Sequence, residues 1–343
     1  MTPSGPVSGI QILKKKPIRF PDFEVIEAGE SGWDDGYCFG SDDGRIRFTG
    51  SLLEFDVKSG EPINGIAFTD DMMAVSTPAE VVLWKRPSPS GETAQAIYSG
   101  GAHGVISTPS GKFIAPLGPN GLLKMESVPN EPDRFQSFGA QGQNFIFYKV
   151  AYAGTHQGHD VLVCALRRRG LARYFLGGSS GFDVASDSDI IDVCRLQSDR
   201  FPRAAVALAL DNSLRIIRDA ATFNPVITFR LGDIPGTAYQ IFSSGRQVLL
   251  LTSESLYSLG DLVHRCLDGE RIDQPTVRKF DVEAVGASIA HGRILLIVLP
   301  DGGVTEINTN DLAPARGHGS SFTITPSMTS VHSPLTAFAM VPA

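Results

Sequence analysis

Residues 37 to 50 read YCFGSDDGRIRFTG. Two short apolar runs, Tyr37-Cys38-Phe39 and Ile46 to Phe48, flank Asp42-Asp43-Gly44. An Asp-Gly step between such runs predicts a β-hairpin, because Gly takes a positive φ without a Cβ penalty. Whether the hairpin occurs once or repeats decides the fold.

It repeats. Six further units share the pattern of apolar run, turn of small or polar residues, and second run: Met72 to Trp84, Lys112 to Met125, Val161 to Phe175, Ala204 to Ile217, Gln247 to Leu259 and Ile294 to Ile307. The second runs begin at Arg45, Val81, Leu122, Leu171, Leu214, Leu256 and Val304, at spacings of 36, 41, 49, 43, 42 and 48. A period of about 40–45 residues carrying only β signals predicts four-stranded propeller blades. Ala204 to Leu210 and Ile294 to Leu299 are apolar at every position, as a strand is when both of its faces are covered. A buried helix is the competing reading, but these runs are short and bounded by Gly, Asn and Pro. Upstream of each later pair lies a further strand candidate, such as Gly65 to Phe68 or Ile190 to Leu196. Downstream lie weaker and more polar ones, such as Leu53 to Val57.

Thr108 to Met125, TPSGKFIAPLGPNGLLKM, resembles the WD40 repeat phrase, in which a Ser-Pro-Asp-Gly-Lys turn precedes the second strand and an Asp-Gly turn the third. Gly40 to Phe48 resembles the same phrase, and Trp84 falls where the repeat often has its Trp. There is no Trp-Asp dipeptide, and Gly-His occurs only at Gly158-His159 and Gly317-His318. The resemblance is therefore to a divergent WD40-like family. It implies a single-domain, all-β, seven-bladed β-propeller over 21–312. Segment 1–20 and tail 313–343 are then the candidates for a strand that closes the ring. Closure is expected on the blade around Ile294 to Ile307, through Ser321 to Thr325 or Ile10 to Leu13, because an open blade leaves an edge unpaired.

Bulk properties narrow the function classes. The chain has 343 residues and a formal net charge of −7, which argues against a surface built for nucleic-acid phosphates. No apolar run is long enough to span a bilayer as a helix, and the N-terminal Lys cluster follows its apolar residues, the reverse of a secretory signal. Cys38, Cys164, Cys194 and Cys266 lie far apart without CxxC pairing and read as reduced core residues of a cytoplasmic protein. No cofactor is expected.

Two clusters invite a chemical reading. His156, His159 and Asp160 in HQGHD have the spacing of metal ligands, against the plainer reading of a polar turn between the first and second strands of blade four. Ser186 to Asp189, with Asp183 and Asp192, is acidic but lacks the glycine and terminal Glu of a calcium loop. No HExxH, GxSxG or P-loop occurs. At the turn where the other six units are neutral or acidic, the fourth carries Arg167, Arg168 and Arg169. These arginines either pair with Asp187 and Asp189 or receive an acidic segment or phosphate from outside. The expected function is a non-catalytic protein–protein interaction module or scaffold, which is what the WD40 resemblance implies. The alternative is a propeller enzyme, a hydrolase or lyase with a polar central channel.

Overall fold

The computed structural model describes residues 36–341 apart from 42, 49–53, 58, 70, 86–94, 127–133, 140–144, 168–169, 178–187, 225, 233, 235, 273–276, 281–285, 291–293, 299–303 and 309–334. Among these residues the protein is all-β, with seven antiparallel sheets and one short helix. The chain divides into two compact units: Met1–Phe138 with Asp301–Gly303 and Thr329–Ala343, and Gly139–Pro300 with Val304–Met328.

Three sheets belong to the first unit. The opening one has the order β26 (Leu335–Val341), β1 (Gly36–Ser41), β2 (Arg45–Phe48), β3 (Glu54–Asp56). The second runs β4 (Gly65–Phe68), β5 (Met72–Ser76), β6 (Val81–Lys85), β7 (Gln95–Tyr98), and the third β8 (Ile106–Ser107), β9 (Phe113–Pro116), β10 (Leu122–Glu126), β11 (Arg134–Phe138). The second unit begins with β12 (Ile146–His156), β13 (His159–Arg167) and β14 (Gly170–Leu176). Next come β15 (Ile190–Arg195), β16 (Ala205–Ala209), β17 (Ser213–Ile217) and β18 (Val226–Arg230). Then follow β19 (Ala238–Ser244), β20 (Gln247–Thr252), β21 (Leu256–Ser258) and β22 (Arg278–Phe280), and finally β23 (Gly286–Ala290), β24 (Ile294–Val298) and β25 (Val304–Asn308). Six of the sheets are built from consecutive hairpins, and the opening one adds β26 beside its consecutive strands β1 to β3. The opening hairpin pairs Cys38 with Phe48 and turns at Gly44, whose φ is +80°.

The unbroken apolar runs have a direct physical cause. In β16, Val206 and Leu208 face one core cluster, shared with Val248 and Leu250 of β20. Ala205, Ala207 and Ala209 face another, shared with Val161 and Val163 of β13. The strand is buried on both faces by its neighbours in the same unit, so neither face tolerates a polar residue. The first unit repeats the device. Met73 and Val75 of β5 and Val82 and Trp84 of β6 pack toward Cys38 and Ile46, while Met72, Ala74, Val81 and Leu83 pack toward Phe113 and Leu123.

Polar bonds tie successive sheets of the second unit together. Arg173 donates to the Ala221 carbonyl, Arg203 to that of Thr155 and Arg218 to that of Leu267. Gln197 accepts from the Gly245 N–H and Asp192 from the Ile241 N–H. Partners are 48 or 49 positions apart in all five pairs, so each bond joins one sheet to the next.

The tail does supply a strand, but at a different place from the one expected. β26 pairs antiparallel with β1, Cys38 opposite Ala339, and so takes the first position of the opening sheet. That sheet begins with its second strand and has no first strand of its own upstream among the described residues. The sheet around Ile294 to Ile307 has three described strands, and Ser321 to Thr325 and Ile10 to Leu13 lie outside the described residues.

One element has no counterpart in the sequence reading. Helix α1 (Leu262–Leu267) follows β21, with Leu262, Val263, Cys266 and Leu267 buried against the β15–β18 and β19–β22 sheets. Gly269, at φ +89°, ends it with its N–H on the Cys266 carbonyl.

Candidate functional site

Of the arginine turn, Arg167 is described and Arg168 and Arg169 lie outside the described residues, as does Asp187. Arg167 ends β13 opposite Ile146, with its guanidinium 4.4 Å from the centre of the Tyr148 ring. The same arginine hydrogen-bonds the Tyr148 side chain, so the ring holds it in place. Asp189 offers its carbonyl to the Leu210 N–H at 2.9 Å, and neighbouring Ser188 accepts from Arg215 at 3.0 Å.

The HQGH stretch is the tight turn of the β12–β13 hairpin. His156 and His159 are paired across it, and Gln157 and Gly158 both have positive φ, 49° and 80°. This two-residue geometry matches the right-handed twist of the flanking strands. Asp160 is buried opposite Thr155, and the His156 ring packs 6.0 Å from Phe175. Among the described residues no three His, Cys, Asp or Glu side chains gather as a metal-ligand set, so His156, His159 and Asp160 are not brought together as one.

Asp192 of β15, grouped by sequence with the acidic residues around Ser186 to Asp189, is a buried carboxylate. It accepts the Ile241 N–H of β19 at 2.8 Å. Burial pushes its pKa from 3.8 up to about 6, against the opposing influence of Lys149 and of N–H bonds from Ile241 and Val193. The same environment raises Tyr148 to about 12, chiefly through burial. Asp192 thus joins two sheets while carrying an ionisation cost at neutral pH.

A polar cleft of about 1000 Å³ opens where the β15–β16 connection, the β19–β20 turn and α1 meet, all within the second unit. Arg195, Arg200, Arg246 and Asp268 line it, with Gln197 and the buried His264. Arg200 lies 2.6 Å from one Asp268 oxygen and Arg246 3.7 Å from the other. The Arg195 guanidinium sits 5.3 Å from the Tyr152 ring centre and that of Arg200 5.2 Å from Phe201. His264 bonds the Gly245 backbone, while its Nε2 has no hydrogen-bond partner. Burial and then Arg246 hold the imidazole below its usual pKa, so it is neutral at pH 7. The sequence signal for this cleft was thin: SDRFPR and SGRQ look like ordinary connections until the fold places them beside α1.

The four cysteines are free thiols; Cys38, Cys164 and Cys266 are buried, and burial raises the thiol pKa of each. Among the described residues no helix is long and apolar enough to cross a membrane. A scan against protein-family models and a search of curated proteins returned no match.

Proposed function

We propose that the seven sheets are the blades of a WD40-like β-propeller acting as a non-catalytic interaction module. In this reading its rigid blades present turns and connections to a protein partner. The observation that carries it is the two-sided burial of middle strands such as β16, whose alternate residues enter two different cores. A stack of sheets covered face to face in this way needs either capping sheets or a closed ring. The polar bonds between successive sheets and the first-strand position of β26 favour the ring, with the tail completing the opening blade. Such a scaffold is stiff, so its loops bind without much ordering cost. The arginine turn at Arg167–Arg169 is one contact surface in this reading, cytoplasmic proteins are the partner class, and the fold itself calls for no cofactor.

The test has two arms on the full chain. Incubation with ester, phosphate and glycoside substrates, with and without divalent metal, is expected to give no turnover above background. Affinity capture from the source organism, followed by reconstitution with purified candidates, is expected to give a stoichiometric complex. Saturable turnover abolished by Asp192→Asn would favour the propeller enzyme instead.

A further inference from the structure

We propose that the cleft between the β15–β16 connection, the β19–β20 turn and α1 is a docking groove for a short acidic segment of the partner, contacted through Arg195, Arg200 and Arg246. This deepens the interaction-module reading and rests on it.

The charge arrangement selects the ligand. One carboxylate, Asp268, is shared by Arg200 and Arg246, whose side chains remain 71% and 62% exposed. Each guanidinium has five N–H donors, and a single shared carboxylate cannot engage them all. A ligand carboxylate meets the remaining edges with two oxygens at once. Preorganisation helps: Arg195 and Arg200 already rest on Tyr152 and Phe201, so less side-chain freedom is lost on binding.

The size of the cleft asks for something larger than a bare anion; His264, only 2% exposed, closes its floor. The volume exceeds what one small anion fills, lying at the upper end of ligand pockets, about 300–1,000 Å³. Nucleic acid fits less well, because Asp199 and Asp268 stand among the arginines and the whole chain carries −7. The groove lies at the opposite end of the strands from the Arg167 turn. The nine residues of β13 separate the two ends by about 27 Å, so the surfaces are distinct.

The probe is a fluorescent peptide containing four consecutive Glu residues between Gly-Ser flanks, with its Gln counterpart, inorganic phosphate and single-stranded oligonucleotide as comparators. Anisotropy on the full chain is expected to show binding of the Glu peptide, stronger at about 50 mM than at about 300 mM salt, and none of the Gln peptide. Arg200→Glu with Arg246→Glu should weaken it about tenfold or more. Asp268→Asn, which removes the internal competitor, should strengthen it, and this variant keeps the test open if the double variant folds poorly. No peptide binding, unchanged affinity in a folded double variant, weaker binding to Asp268→Asn, or binding of phosphate or oligonucleotide in place of peptide would each overturn the groove. A reconstituted partner that binds the double variant normally would sink the groove and leave the module standing. Loss of every partner complex together with measured turnover would sink the module itself.

Discussion

Replacing Asp192 by Asn should stabilise the protein at neutral pH relative to acid. The carboxylate is buried, accepts the Ile241 N–H at 2.8 Å, and titrates near 6 instead of 3.8. A folded-state pKa raised in this way means the native state holds a proton that the unfolded chain has released. Stability from this group is complete below about pH 4, falls as pH rises through about 6, and is level above that. A shift of roughly two units corresponds to about 3 kcal/mol at about 1.4 kcal/mol per unit. Asn keeps an oxygen for Ile241 but cannot ionise. Urea unfolding followed by far-UV circular dichroism from about pH 4 to 8 should show the Asn variant gaining about 3 kcal/mol on the wild type across that range. Asp192→Ala removes the acceptor as well and should be less stable than Asn by about 1–3 kcal/mol. A difference between wild type and Asn that stays constant from pH 4 to 8, or Ala and Asn variants of equal stability, would refute the assignment.

Three further outcomes follow from the same structure. Gly65→Ala would place a Cβ 2.7 Å from the Val105 nitrogen and 2.9 Å from Gly104 Cα; these backbone atoms cannot rotate aside, and thermal melting should report a loss of about 1–3 kcal/mol. Deleting residues 329–343 strips β26 from β1 and leaves an open edge, so the melting temperature should fall and light scattering should reveal association, whereas unchanged values would show that the pairing contributes nothing. Arg167→Glu, Arg168→Glu and Arg169→Glu together should weaken a purified partner about tenfold at low salt with the melting temperature unchanged; a large fall in melting temperature with affinity intact would make the arginines structural.

The repeat was legible because its signals are local. Asp-Gly and Asn-Gly turns, and runs such as Ala204 to Leu210, announce hairpins and two-sided burial without reference to distant residues. The starting residues of the second runs fall at or within a residue of β2, β6, β10, β14, β17, β21 and β25. Features that depend on pairing across the chain were less legible. β26 was missed because the alternating Ser321 to Thr325 competes with LTAFAMV for a tail strand, and the value of LTAFAMV comes from the first position beside β1, some 300 residues earlier. Helix α1 has only six residues, too few for helical periodicity to stand out. Asp192 sits near an acidic run in the strand candidate Ile190 to Leu196, and nothing local marks it as buried until β19 arrives with the Ile241 N–H. The cleft arginines lie at the end of β15 and in two connections and are brought to α1 only by the stacking of consecutive sheets.

Ring closure is the claim on which the module reading depends most, and diffraction from crystals of the full chain tests it directly. The map should show seven antiparallel sheets around one axis, Leu335–Val341 as the innermost strand of the opening sheet, and the β23–β25 sheet packed against that same sheet. Sheets that form an open stack, a count other than seven, or a tail strand paired elsewhere would contradict it.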